Sequence, residues 1–207
     1  MSNSKVIESD SSFSTPILSG PKRQHFLPRF YLEGFTNNGK LAVYDRETNR
    51  VRVQQPINTG VIGHFYTLED AEGRKRYELE QMLSEYEANA SPTVCKLSAK
   101  QEISPDERAY LSIFVALAAF RTPDIVDSLK LMNSDLIGEM TRRMFSDKEQ
   151  VKDGLRVKPY APSSEEELEQ EAIEMIEFAQ GGQYTITTEH SWAVGMAIQT
   201  GLKIAPI

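Results

Sequence analysis

The strongest constraint in this chain is Ser104-Pro-Asp-Glu107, followed by twelve residues, Ala109 to Phe120, that are apolar except for Ser112. A serine N-cap, a first-turn proline and a glutamate three residues on form a helix-start signature. The helix it opens is apolar nearly all round, which suits a central core position. Twelve residues are too few to span a bilayer, so the sequence predicts a core helix over Ser104 to Phe120, with Phe114 at its centre. Its neighbours should be Leu79 to Tyr86 and Ile125 to Met144.

The flanking sequence repeats the helical period. Leu79, Met82, Leu83, Tyr86 and Ala90 fall on one face, and Pro92 should kink or restart that helix. Thr122-Pro123-Asp124 starts another, with Ile125, Leu129, Met132, Leu136, Met140 and Met144 as its expected buried stripe. Residues 146–163 read as a polar loop. Ser164 and Glu167 cap a helix that stops at Gly181-Gly182, and its acidic run, Glu165 to Glu177, reads as a solvated face. Tyr184 to Thr188 reads as extended, and a last helix carries Trp192, Met196 and Ala197.

The N-terminal third has a different period. Leu41 to Tyr44 and Val51 to Val53 alternate around Asp45 to Arg50, a β-hairpin pattern that follows the turn signal Asn37-Asn38-Gly39. His64 to Thr67 reads as a third strand. Pro28 to Phe35 is a short helix, with Leu27, Phe30, Tyr31 and Phe35 on one side. The fold class is therefore α+β and mostly helical: a small N-terminal hairpin or three-stranded sheet packed on a helical bundle. Residues 1–20 read as a disordered polar leader without periodicity, and 21–207 as a single domain, β-containing over 21–70 and helical over 74–207.

Composition narrows the function classes. The net charge of −7 disfavours non-specific attraction to nucleic acid or anionic lipid. Yet residues 1–60 hold eight Lys/Arg against five Asp/Glu, while 161–207 hold Lys203 against eight acids. An anionic ligand is expected at the N-terminal end. Cys95 is the only cysteine, so an internal disulfide and a cysteine zinc site are excluded, and it reads as an inert core residue. No signal-type segment begins the chain, and a cytoplasmic location is expected. Phosphate-loop, dinucleotide, nucleophile-elbow and zinc-hydrolase motifs are absent, and the three histidines are too scattered to mark a metal cluster.

One stretch stands out: Lys22-Arg-Gln-His25-Phe-Leu-Pro28-Arg29-Phe-Tyr31. It sets basic residues and a histidine before a helix start, where free N–H groups attract anions. Arg29 in the first turn is disfavoured by the helix dipole, so a ligand or a carboxylate is expected beside it. The plain alternative is an i,i+4 pair with Glu33 on a solvated face.

Gln24-His-Phe-Leu-Pro-Arg-Phe-Tyr-Leu32, with Phe35, resembles the opening of an uncharacterised bacterial and phage family, domain of unknown function 4238. Gly39-Lys-Leu-Ala-Val-Tyr-Asp45 is similar to its hairpin and Phe65-Tyr66 to its aromatic pair. Leu83-Ser-Glu-Tyr-Glu87 and Phe120-Arg-Thr-Pro123 also match. The resemblance is close over residues 23–125. Family members continue past the last helix into a Ser-Asp-Asn-Pro-type segment, so the resemblance implies a shortened member. Its apolar end, to Ile207, is expected to leave apolar surface for self-association.

The matching blocks suggest a polar cluster. His25, Glu80 and Glu87 are the candidate catalytic residues, His25 as general acid or base and a glutamate orienting it or holding a metal. Arg29, Tyr31 and Arg121 are the candidate ligand-binding residues. The alternative for Arg121 is a helix C-cap paired with a glutamate. The cofactor is unknown. The leading expectation is a phosphate- or nucleic-acid-directed hydrolase-like protein, possible loss of activity included; the alternative is a non-catalytic module binding a protein or small ligand.

Overall fold

In the computed structural model, which describes residues 16–205, the chain turns at Asn38 and Gly39, both at positive φ, into an antiparallel hairpin. Its strands, β2 (Leu41–Asp45) and β3 (Arg50–Gln54), pair Leu41 with Gln54 and Asp45 with Arg50. The connecting turn is closed by Asp45, whose carboxylate accepts from Thr48 N at 3.0 Å, and by Asn49 at positive φ. A strand not expected from the sequence, β1 (Arg23–His25), precedes it. It pairs with β4 (Val61–Gly63), His25 opposite Val61. A third ladder joins β5 (Leu68–Glu69) to β6 (Lys75–Arg76). The chain is thus α+β and mostly helical, with small antiparallel sheets near the N-terminus.

The third strand expected at His64 to Thr67 is instead a turn. Gln24 explains it. Its fully buried carboxamide accepts from Tyr66 N at 2.6 Å and donates to Thr67 Oγ1 at 3.1 Å. A side chain takes the place of a ladder partner, so the backbone needs no strand there.

By its contacts the chain divides into two units, one up to Glu107 and one from Arg108. The first holds the three ladders, a one-turn α1 (Arg29–Glu33) and α2 (Glu78–Ser98). In α1 the buried residue is Leu32, whereas Tyr31 and Phe35 are exposed and meet edge to face at 5.1 Å. α2 runs unbroken through Pro92, correcting the expected restart. The carbonyl of Ala88, which loses its partner there, belongs to an exposed residue that water can reach. Leu83, Ala90 and Thr93 form its buried side. Cys95 lies off that side and is exposed, contrary to the core position expected for it. The leader up to residue 15 lies outside the described residues. Residues 16–20 are ordered against α2: Ile17 N donates to Glu78 Oε1 at 3.0 Å and Tyr77 N to Ile17 O.

The start of α3 (Pro105–Phe120) carries the expected reciprocal cap. Ser104 N donates to Glu107 Oε2 at 2.8 Å, and Glu107 N to Ser104 Oγ at 3.2 Å. Phe114 and Leu117 are buried, but Tyr110 and Val115 are exposed.

In the second unit the most buried helix is α7 (His190–Ile204), with Ala193, Val194, Ala197, Ile198 and Gly201 inside. This corrects the central role expected for α3. Small residues allow it: a Cβ on Gly201 would lie 3.3 Å from the carbonyl oxygen of Ala116. α7 packs on α4 (Pro123–Met144), whose buried residues are Val126 and Gly138. Met132, Leu136, Met140 and Met144 are more than half exposed, the reverse of the expected stripe.

Residues 146–163 are not a plain loop but contain α5 (Lys148–Arg156), capped by Asp147, which accepts from Glu149 N and Gln150 N. Val151 and Leu155 of α5 meet Leu168 and Ala172 of α6 (Glu165–Gly181) in a small core. The acidic run on α6 is only partly a solvated face. Glu165 and Glu169 bind the buried Lys152 at 2.6 and 3.1 Å, and Lys148 and Arg156 join them. Burial without such partners would be prohibitive for an ammonium. No single helix among the described residues is long and apolar enough to cross a membrane.

Candidate functional site

The polar stretch singled out in the sequence builds a site on α1. Pro28, buried, is its N-cap, and Arg29 is the first helical residue. α1 is a single turn, so its aligned dipoles and free N–H groups are few, and the helix start is a weak anion site. The useful group is the Arg29 side chain itself. Its Nε donates to Glu33 Oε1 at 2.9 Å, the i,i+4 pair foreseen as the plain alternative. That bond leaves Nη1 and Nη2 without a hydrogen bond among the described residues, and the side chain is 60% exposed.

Arg29 and Glu33 form a ridge between two concavities of the first unit. One, of about 520 Å³, is lined by Arg29, Phe30, Glu33, Ser84, Glu87 and Ser91. The other, of about 430 Å³, is lined by Arg29, Glu33, Thr36, Gln55, Pro56 and Ile57. The first lies where α1 meets the middle of α2, so two sequence blocks more than fifty residues apart, the opening motif and Leu83–Glu87, share one cleft. The second joins α1 to the short 3-10 turn Pro56–Asn58.

Of the expected residues, Arg29 and Glu87 therefore line one cavity. His25 and Tyr31 line neither. The His25 backbone pairs with Val61 in the β1–β4 ladder, and its Nε2 is buried with no hydrogen-bond partner among the described residues. Tyr31 points to solvent with its ring against Phe35. Glu80 and Glu87 are both half-buried on α2. Arg121, at the end of α3, belongs to the second unit and is almost fully buried. Among the described residues no three His, Cys, Asp or Glu side chains are grouped to hold a metal ion.

Sequence reasoning missed Ser84, Ser91, Thr36 and Gln55. Ser84 and Ser91 stand seven apart on α2, as do Glu80 and Glu87, so helical spacing was the available signal. Gln55 carries none, because its position follows from the hairpin's return.

Electrostatics elsewhere in this unit are those of local pairs. Glu78 is held down to about 2, first by the hydrogen bond from Arg76 and then by the Ile17 N–H. Asp70 is lowered as its carboxylate accepts from Arg74, against the opposing effect of desolvation. Glu107 is lowered by Lys96 and by the Ser104 N–H of the cap.

The chain belongs to the family described as Protein of unknown function (DUF4238), whose sequence profile matches residues 23–201. The match covers the ladders, the ridge and nearly all of α7. No curated protein and no solved structure matches the chain.

Proposed function

We propose that the first unit is a binding module for a small phosphate-bearing, hydroxyl-rich ligand of nucleotide type, with Arg29 as the group that reads the phosphate. The observation that carries this is the unengaged fork of Arg29 in the wall of two cavities. A guanidinium with both terminal nitrogens open is suited to bidentate contact with phosphate. The phosphate belongs on the Thr36–Gln55 side, where the cavity lining holds no carboxylate besides Glu33, already paired. Hydroxyl groups belong on the other side, where Ser84, Ser91 and Glu87 supply donors and acceptors. Binding is preferred to hydrolysis because His25, the expected acid or base, lines neither cavity and its Nε2 is buried.

Calorimetric titration with inorganic phosphate and with adenosine monophosphate tests the proposal. The monophosphate should bind more tightly than phosphate alone, and Arg29→Ala should weaken both at least tenfold with the fold intact. His25→Ala should leave binding unchanged. Equal affinity in wild type and Arg29→Ala overturns the assignment. Turnover of a phosphate ester that is abolished by His25→Ala would restore the hydrolytic reading.

A further inference from the structure

The second unit contains a cavity of different chemistry, about 530 Å³ in volume, between the C-terminal half of α4 and α6. Ile137, Phe145, Met175 and Ile186 make its body apolar. The size lies within the range of small-molecule sites. Its exposed lining includes Glu171, Glu174 and Phe178, one face of α6 at i, i+3 and i+7. The Phe178 ring stacks on Tyr184 at 5.2 Å with 25° between planes, yet remains mostly exposed. None of the ten lining residues is a cation. The nearby Arg142 and Arg143 are both held by Glu139, at 3.1 and 2.8 Å. Glu171 has no hydrogen bond or ion pair among the described residues, and Glu174 accepts from Gln170 alone.

The cavity is also held in shape. Tyr184 Oη donates to Ala179 O at 3.2 Å, and Gln180 Nε2 to Arg142 O at 3.0 Å. Thr188 is fixed on α4 by Asn133 Nδ2 at 3.0 Å and by its own bond to Lys130 O. The segment after α6 is thus pinned at both ends, and Ile186 is seated over Gly138, where a Cβ would already touch its Cδ1 at 3.5 Å.

We infer that this cavity binds a small organic cation with an apolar body. An ammonium group fits between the carboxylate of Glu174 and the open face of Phe178, one helical turn apart, where charge attraction and cation–π attraction act together. The apolar body fills the space among Ile137, Phe145 and Met175. An anionic head meets two carboxylates there and is repelled, and a neutral one gains only the apolar contact.

Three probes with one tail separate these cases: octyltrimethylammonium, octyl glucoside and octyl sulfate, titrated below their micelle concentrations by calorimetry. The ammonium should bind at least tenfold more tightly than the sulfate. The paired change Glu171→Gln with Glu174→Gln should remove that preference and keep glucoside binding. Phe178→Leu, which preserves apolar area without the ring, should weaken the ammonium several-fold more than the glucoside. Melting curves of the variants verify that they fold. Equal affinity for the three heads, or indifference to both variants, overturns the inference. So does a wild-type dimer in sedimentation that Phe178→Leu dissolves, since a second copy would then be the occupant.

Discussion

Arg29 is bonded through one nitrogen only, and this makes stability and binding separable at that residue. An exposed i,i+4 pair contributes about 0.3–0.5 kcal/mol, so Arg29→Ala should shift the melting temperature very little. Binding of adenosine monophosphate should nonetheless collapse in the same variant, and Arg29→Lys, a point charge without a fork, should recover only part of it. Glu78 behaves in the opposite way, since its carboxylate clasps Arg76 and the Ile17 N–H. Its folded pKa, about 2, is below the unfolded value of about 4.3. The folded state therefore favours the ionised form. Its contribution is complete above about pH 5 and is lost as pH falls through about 4 towards 2. Glu78→Gln should accordingly melt earlier than wild type at pH 6, with the gap closing by pH 2. A gap that persists unchanged at pH 2 contradicts this cause. At this scale the sequence was legible where partners are near in the chain. The Arg29–Glu33 pair follows from spacing alone. The Gln24 clasp joins residues 42 apart, and nothing local announces it. For Cys95, the identity of the residue suggested burial, but its angular position on α2 decided otherwise.

Helix boundaries marked by caps were readable, because a cap is local chemistry. Ser104 with Glu107 and Ser164 with Glu167 both start helices as expected, and Gly182, at φ 64°, ends α6. Ser104→Ala should cost about 1 kcal/mol of stability in urea denaturation, through loss of one half of a reciprocal pair. α5 escaped because Gly154 and the polar residues around it masked an i,i+4 pair, Val151 and Leu155, under an Asp147 cap. Which face of an apolar helix is buried was not legible, since that depends on what packs there. α4 presents apolar residues on more than one side; α7, with its small residues, packs on it, and Ile186 covers its Gly138. Phe114→Ala in α3 should cost roughly 3–5 kcal/mol by leaving a cavity. Val115→Ala, on the exposed side, should stay within about 0.5 kcal/mol. Near-equal losses in the two variants would mean that α3 has no preferred face.

For the whole molecule, charge separates a small phosphate ligand from a nucleic acid. The chain carries −7 overall, and that net charge lies beyond residue 160, where eight acids stand against Lys203; before it acids and bases balance. A polyanion needs a row of open cations along its phosphates, whereas a single phosphate is governed by what lies within one Debye length, about 10 Å at 0.1 M salt. Elsewhere in the first unit, Arg52 is committed to Asp45 at 2.7 Å and Arg23 to Ile57 O and Asn58. Arg29 is the cation with an open fork in the two cavity walls. Affinity for a polyanion falls with salt in proportion to the phosphates neutralised, close to one unit of log–log slope for each. Adenosine monophosphate should therefore show a shallow slope, about −1 or less in magnitude, between 50 and 200 mM salt. A twenty-nucleotide single strand should bind no more tightly than the monophosphate, because additional phosphates meet no additional open cation in these cavities. Fluorescence anisotropy of a labelled strand measures this directly. A slope of several units with nanomolar binding at low salt would mean that a continuous basic track exists and that Arg29 is one contact among many.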